Sequence, residues 1–182
     1  IINKTSLNTM KFNENISNLR SLNLKWNRLN SIDPSISLLT NLESLDLSGN
    51  RFEPEPNMFK SLSYIKFLNL SGNQGLSKIV KNMFKGLENL IELDMSDCKL
   101  VEIDSDAFSD VPQLKKLELA NNTLQLKNID VFRHLTQLTE ICLNSNNLEY
   151  YPFEQGLVSP LKSLESLEAR NNKISNLTAN MF

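Results

Sequence analysis

The sequence predicts a right-handed α/β solenoid, shaped as a horseshoe, with a parallel β-sheet on its concave face. Three observations predict it. The 182 residues include 32 leucines and 25 asparagines, close to a third of the chain. One apolar pattern recurs along the chain in steps of 23 to 26 residues. Each copy holds two apolar residues two positions apart, which is the spacing of one face of a β-strand. Fixed periods of this length are typical of solenoids, whose units pack only on their neighbours.

The repeated pattern is L-x-x-L-x-L-x-x-N-x-L, and it returns in frame seven times. The copies begin at Leu19, Leu42, Ile65, Leu90, Leu114, Leu138 and Leu164. In the first copy, Leu22 and Leu24 share the inward face of a strand and Asn23 points outward. A single strand cannot bury its apolar face, so we expect the strands to stack roughly 4.8 Å apart around one core.

A polar column follows the strands. Its members are Asn27, Asn50, Asn73, Cys98, Asn122, Asn146 and Asn172. The backbone turns at this point and leaves polar groups unpaired. A carboxamide both donates and accepts hydrogen bonds, so a stacked column can satisfy those groups. We call this column the ladder.

Further apolar columns are predicted for the convex side. Residues six positions before the next copy are Ile36, Phe59, Phe84, Phe108, Phe132 and Val158, and residues three before it are Leu39, Leu62, Leu87, Val111, Leu135 and Leu161. Pro54 and Pro56 exclude a regular helix in the second unit. We therefore expect seven or eight short strands and little long helix.

The repeats predict one domain over residues 1–182, with about seven full repeats and a partial repeat at each end. Neither end carries a polar capping sequence or a cysteine cluster, although solenoids need capped ends for solubility. The sequence is therefore interpreted as a fragment without caps, truncated at both ends.

The period of about 24 residues, with a Phe six before the next copy, resembles the typical class of leucine-rich repeats. That class occurs in Toll and Toll-like receptor ectodomains, Slit-type guidance proteins and secreted insect immune factors. The resemblance implies an extracellular recognition module, and it does not name a ligand. Plant receptor repeats would carry Gly-x-Ile-Pro after the ladder, and the stretches 30–33 and 101–104 lack it.

Composition and motifs weigh against several other classes. The net charge of −2 gives no basic excess, so we expect no nucleic-acid partner. No stretch approaches the roughly 18 apolar residues of a membrane span. The single histidine, His134, lies in a convex segment where no partners are visible. We therefore expect no enzyme activity, no cofactor and no metal site.

Five sequons support an extracellular location weakly. Candidate N-glycosylation sites are Asn3, Asn15, Asn69, Asn121 and Asn176. The Asn, Ser and Thr content alone gives about 3.7 such motifs by chance. A glycan on Asn69 would cover part of the concave sheet, so Asn3, Asn15 and Asn176 are the better candidates.

The two cysteines lie two repeats apart, at least ~9.6 Å, whereas a disulfide needs Cα atoms within about 7 Å. We predict that they do not pair with each other. Cys98 belongs to the ladder and is expected to be a buried thiol. Cys142 points outward, and two interpretations stay open: an exposed thiol that could form an intermolecular bond, or an incidental one shielded by neighbours.

Candidate partner-binding residues lie on the predicted concave surface. They are Trp26, Asp46, Phe67, Asp94, Glu118 and Glu168. The carboxylates could form a negative stripe for a basic partner, or belong to a solvated face of mixed charge. The aromatic residues could anchor a partner or cover neighbouring side chains. This inward and outward frame predicts that Leu93→Asp unfolds the chain and that Asp46→Ala leaves folding nearly unchanged.

The function that the sequence favours is a non-catalytic protein-recognition module of an extracellular receptor or secreted innate-immune factor. Its partners would be a protein ligand or co-receptor, with a homo- or heterodimer as one arrangement. A cell-adhesion or axon-guidance protein and an intracellular scaffold or adaptor remain as alternatives.

Overall fold

The computed structural model describes residues 10–126, 130–149 and 160–175 of the chain. Seven short strands form one parallel sheet in chain order, one strand per repeat: β1 (Ser21–Asn23), β2 (Ser44–Asp46), β3 (Phe67–Asn69), β5 (Glu92–Asp94), β7 (Lys116–Glu118), β8 (Glu140–Cys142) and β9 (Ser166–Glu168). The central residues are in register from Leu22 through Leu45 and onward to Leu167. The predicted solenoid with a parallel sheet is confirmed.

The convex side is irregular. In the described ranges its helices are two short 3-10 helices, Glu14–Ile16 and Pro34–Leu38. A second parallel sheet has two strands, β4 (Lys78–Ile79) and β6 (Glu102–Ile103). Asp33 caps the second helix by accepting a hydrogen bond from the Ser35 amide, and Pro34 occupies its first turn. The prediction of short strands and little long helix is confirmed for these residues.

The core is one continuous spine. All the inward residues of strands β1 to β8 are buried, and so are Ile36 and the Leu and Val column three before each copy. The rings of Phe59, Phe84, Phe108 and Phe132 follow one another with centroids 6.4, 5.8 and 6.1 Å apart; the first two pairs are stacked and the third is tilted by 35°. Aromatic pairs at this spacing stabilise beyond their buried area. Val158, expected in this column, lies outside the described residues.

The ladder joins each repeat to its neighbours. Asn50 shows the pattern: its Nδ2 donates to the carbonyls of Leu24 at 3.0 Å and Leu47 at 2.8 Å, and its Oδ1 accepts from the Leu29 amide at 3.0 Å. The Asn50 side chain therefore satisfies backbone groups in two units, and buried backbone groups require such partners.

Cys98 fills its ladder position with a thiol. The preceding unit therefore supplies a different acceptor for the backbone amide that a ladder asparagine would otherwise accept. The Cys98 Sγ donates to the carbonyls of Leu70 and Ser96. A thiol is a weak acceptor. The Leu76 amide instead donates to the Asn73 carbonyl at 2.9 Å, through a turn that contains Gly75. A Cβ on Gly75 would lie 2.6 Å from the Phe52 carbonyl oxygen, so only glycine fits this turn without a shift.

The residue before each ladder position has a left-handed backbone. The φ values lie between 54° and 70° at Trp26, Gly49, Gly72, Asp97, Asn121, Ser145 and Asn171. Gly, Asn and Asp adopt this conformation most easily, whereas a bulky residue there is an outlier. Trp26 is that outlier.

Candidate recognition surfaces

A groove of about 590 Å³ lies on the concave sheet across strands β2, β3, β5 and β7. It brings together four of the candidate residues: Asp46, Phe67, Asp94 and Glu118. Trp26 and Glu168 are not among its lining residues. The predicted concave site therefore divides into a central groove and two residues that lie outside it. We call this depression the concave groove.

The outward residues at the strand ends are held by local hydrogen bonds. Asp94 Oδ1 accepts from the Ser96 amide at 2.9 Å and from Ser96 Oγ at 2.7 Å. Asp46 makes the same bonds with Ser48, and Asn69 makes them with the serine two residues on. These turns fix the carboxylates before any partner arrives.

Ion pairs neutralise part of the groove. Lys116 Nζ lies 3.5 Å from Glu118 and 3.4 Å from Glu140. The hydrogen bond to Glu140, together with both negative charges, raises the pKa of Lys116 above its usual range. Asp94 lies opposite Glu118 in the sheet register. Within the described residues neither Asp46 nor Asp94 forms an ion pair, so the groove keeps negative charge.

Phe67 is the aromatic residue of this groove. It begins strand β3, pairs in register with Ser44 and Glu92, and is 39% exposed. An exposed aromatic ring among carboxylates offers apolar contact area next to charge, a combination found at interface hot spots.

Trp26 lies past the C-terminal end of strand β1 and is 60% exposed. Its indole packs on Gly49, where an added Cβ would come within 2.5 Å of Cε3. Trp26 therefore lies beyond the end of strand β1 and outside the lining of the concave groove. At the far end, Glu168 accepts a hydrogen bond from Asn144 Nδ2 at 2.7 Å on strand β9.

Neither cysteine forms a disulfide, as the repeat spacing predicts. Burial raises the pKa of the Cys98 thiol to about 12. Cys142 is half-buried, between the exposed and the shielded thiol that the sequence left open. Burial raises the pKa of Cys142, and the negative charges of Glu118 and Glu168 add to that effect. A protonated thiol is a poor nucleophile, so this environment disfavours a reactive role.

The sequons have different environments. Asn15 and Asn121 are exposed. Asn69 is half-buried on the concave sheet, where Ser71 occupies its Oδ1. Asn3 and Asn176 lie outside the described residues.

An ionic cluster on the convex side was not anticipated. Asp106 Oδ1 lies 3.2 Å from His134 Nε2 and pairs with Arg133, while its Oδ2 lies 3.3 Å from Lys81 Nζ. These hydrogen bonds, that to His134 first, lower the pKa of Asp106 to about 2. No partner of His134 was visible in the sequence, and the structure corrects this expectation by placing Asp106 beside it. Within the part of the chain that the structure describes, no group of three or more His, Cys, Asp or Glu side chains could hold a metal ion.

Two family models match the chain. The model described as a BspA type leucine rich repeat region matches residues 3–98, more than half of the chain, and the leucine rich repeat model matches residues 92–148. The chain belongs to the leucine-rich repeat family. None of the helices in its described part is long and apolar enough to cross a membrane.

This leucine-rich repeat chain is similar in sequence to proteins of different kinds. It is 34% identical over 110 residues to the volume-regulated anion channel subunit LRRC8A of Homo sapiens, covering 60% of this chain and 13% of the relative. It is 30% identical over 130 residues to epiphycan of Gallus gallus, covering 59% of this chain and 39% of the relative. The chain thus spans well under half the length of these relatives.

The solved structure of a TLR13–ssRNA13 complex is similar in fold. It aligns with a TM-score of 0.81 and 33% identity, covering 91% of this chain and 23% of that chain. The predicted resemblance to Toll-like receptor ectodomains is confirmed at the level of the repeat fold, and a role in protein interaction is typical of that fold.

Proposed function

We propose that this chain is a non-catalytic protein-recognition module of an extracellular receptor or secreted innate-immune factor. The observation that carries the proposal is the concave groove, in which Phe67 stands among carboxylates held in fixed positions by serine hydrogen bonds. A rigid surface loses little conformational entropy on binding, which favours affinity.

The groove suits a protein partner that presents basic and apolar side chains. Asp46 and Asp94 supply unneutralised carboxylates on either side of Phe67. A partner's Lys or Arg residues would pair with them while an apolar side chain covers the ring. The partner would be a protein ligand or co-receptor, and a dimer with a second chain is one form of it. The TLR13 structure contains RNA, but an acidic groove disfavours a nucleic acid here.

Two observations support the extracellular location. Asn15 is an exposed sequon asparagine outside the concave groove, and the chain is similar to a Toll-like receptor structure and to epiphycan. Cell adhesion or guidance would use the same surface. The competing candidate is an intracellular scaffold or adaptor, which the two unpaired cysteines favour, since thiols stay reduced inside cells.

A secretion experiment separates these compartments. The chain is expressed behind a signal peptide in secreting cells, and its mass is measured before and after glycosidase treatment. We expect a shift that Asn15→Gln reduces. If none of the sequons carries a glycan, the result would favour the intracellular scaffold.

Binding is tested by screening the chain against secreted proteins and receptor ectodomains. A partner of the concave groove should bind at least about tenfold more weakly to Phe67→Ala and to Asp94→Asn. Tyr64→Ala is the matched control, because Tyr64 is an exposed aromatic three residues before Phe67 and outside the groove. Partners insensitive to the groove variants would overturn the assignment of this surface.

A further inference from the structure

A second surface lies just past the C-terminal ends of the first strands of the sheet. We propose that Trp26, with Lys25, Arg28 and Arg51, forms a docking site for an acidic protein segment that carries an aromatic or apolar side chain. The site is separate from the concave groove, whose lining does not include Trp26. This site can therefore be tested separately from the function proposed for that groove, and failure of either proposal leaves the other unaffected.

The backbone at Trp26 is the first argument. Its φ of 57° lies in the left-handed region. The equivalent turns are made by Gly49, Asn121 and other small or polar residues. The turn does not require an indole, and a bulky residue in this conformation is strained. Backbone strain of this kind clusters at functional sites.

The Trp26 indole is supported on one face by the backbone of the next repeat. A Cβ on Gly49 would lie 2.5 Å from Cε3 and 2.8 Å from Cδ2 of Trp26, so the indole rests directly on the glycine backbone. Gly72 continues this surface, because a Cβ there would lie 3.5 Å from the Gly49 Cα. One face of the ring is supported while 60% of the residue remains exposed. The result is a fixed aromatic platform, and such rings contribute contact area with little loss of entropy.

Charge is the third argument, and it identifies the partner. Lys25 adjoins Trp26 in sequence, and Arg28 and Arg51 follow the ladder residues of consecutive repeats. The Arg51 amide donates to the Leu29 carbonyl at 2.8 Å, which holds these two repeats together. Across the described residues, these three cations form no ion pair, whereas Arg20 and Lys66, which directly precede strands β1 and β3, do. Guanidinium groups match carboxylates with two parallel hydrogen bonds.

An acidic peptide fits this surface better than a nucleic acid does. The chain has a net charge of −2, and the adjacent groove holds the unpaired carboxylates of Asp46 and Asp94. A phosphate backbone carries charge at every nucleotide and would extend beyond the three cations toward that groove. A peptide can place a few carboxylates against the cations and one ring on Trp26.

The test uses the intrinsic emission of Trp26, the only tryptophan of the chain. The folded chain is titrated with a short synthetic peptide of alternating Glu and Phe. Controls have Ala in place of Phe, or Lys in place of Glu. We expect a saturable emission change with the Glu–Phe peptide, at least about tenfold weaker binding of the Glu–Ala peptide, and no saturation with the Lys–Phe peptide.

Calorimetry on variants completes the test. Trp26→Asn keeps the turn, since asparagine makes it at Asn121 and Asn171. This variant and the double variant Arg28→Gln with Arg51→Gln should each bind the Glu–Phe peptide at least about tenfold more weakly. Phe67→Ala should bind it unchanged. An equally strong and saturable change of Trp26 emission with the Lys–Phe peptide, no saturable change with the Glu–Phe peptide, or tighter binding of a single-stranded oligonucleotide at Trp26 would each overturn the proposal.

Discussion

Asn122 connects to Cys98 across the boundary between two repeats: its Oδ1 accepts the Cys98 amide at 3.0 Å. The same oxygen accepts the Leu100 amide at 2.9 Å, and Nδ2 donates to the carbonyls of Met95 and Leu119 at 3.0 Å each. Nδ2 also lies 3.2 Å from the Ala120 carbonyl, so one buried carboxamide contacts five backbone groups. The stability of the solenoid depends on such connections because each repeat contacts only its neighbours.

Asn122→Ala should lower the free energy of unfolding by about 3–5 kcal/mol, because it leaves several buried backbone groups unsatisfied. Asn89→Ala is the matched control, since Asn89 is exposed and makes one hydrogen bond to the Ser63 carbonyl. It should change stability by at most about 1 kcal/mol. Urea denaturation measures both, and similar losses would contradict the special role of the ladder.

Leu93→Asp should unfold the chain, because Leu93 is 1% exposed and its replacement buries an unpaired carboxylate at a cost of several kcal/mol. The structure refines the expectation for Asp46, whose carboxylate holds Ser48. Asp46→Ala should destabilise by about 1 kcal/mol. Asp46→Asn should lose less, because Asn69 makes the same bonds one repeat on. Thermal melts that ranked Asp46→Asn below Asp46→Ala would refute this account.

Gly49→Ala should be strongly destabilising, because its Cβ would meet the Trp26 ring at 2.5 Å in a backbone conformation with φ of 65°. In a Trp26→Asn background the clash disappears, and about 1–2 kcal/mol of conformational strain should remain. The two substitutions should therefore couple in a double-mutant cycle of unfolding free energies. Simple additivity would mean that the ring does not rest on Gly49.

The two thiols should react at different rates. Cys98 is buried with its pKa raised to about 12, so it should resist alkylation in the native state at neutral pH. Cys142 is half-buried with a raised pKa and should react slowly. Mass spectrometry after timed alkylation would follow both, and urea-unfolded chain provides the reference rate. Rapid native labelling of Cys98 would be inconsistent with its place in the ladder.

Asp106 should contribute to acid stability. Its hydrogen bonds to His134, Lys81 and Arg133 lower its pKa to about 2 in the folded chain, against about 3.9 when unfolded. A lowered folded pKa stabilises the native state above the unfolded pKa, and this contribution is lost as the pH falls toward about 2. The stability difference between the natural chain and Asp106→Asn should therefore shrink between pH 5 and 2. A constant difference over that range would show that the carboxylate charge is unimportant.

The repeat made most of the fold predictable. Period-two alternation identified Leu22, Leu45 and their equivalents as inward, and the common spacing aligned them in register. The asparagine column indicated where backbone groups need partners, and Asn50 satisfies them as expected. These features follow from local sequence because each repeat meets an almost identical neighbour.

Side chains outside the pattern were not predictable in the same way. Asp106 meets Lys81 and His134, which are 25 and 28 residues away in neighbouring repeats. The left-handed column contains Gly, Asn, Asp and Ser, so its composition could have indicated the turn, but nothing in it pointed to Trp26.

The sequence by itself determined the repeat, the inward columns and the parallel sheet, because alternation and period act over a few residues and are copied along the chain. Only the tertiary structure decided that Asp46, Phe67, Asp94 and Glu118 share one groove while Trp26 rests on Gly49 at the edge. Those placements depend on how consecutive repeats lie against each other and on the backbone conformation at single turns, and neither is encoded in the spacing of leucines.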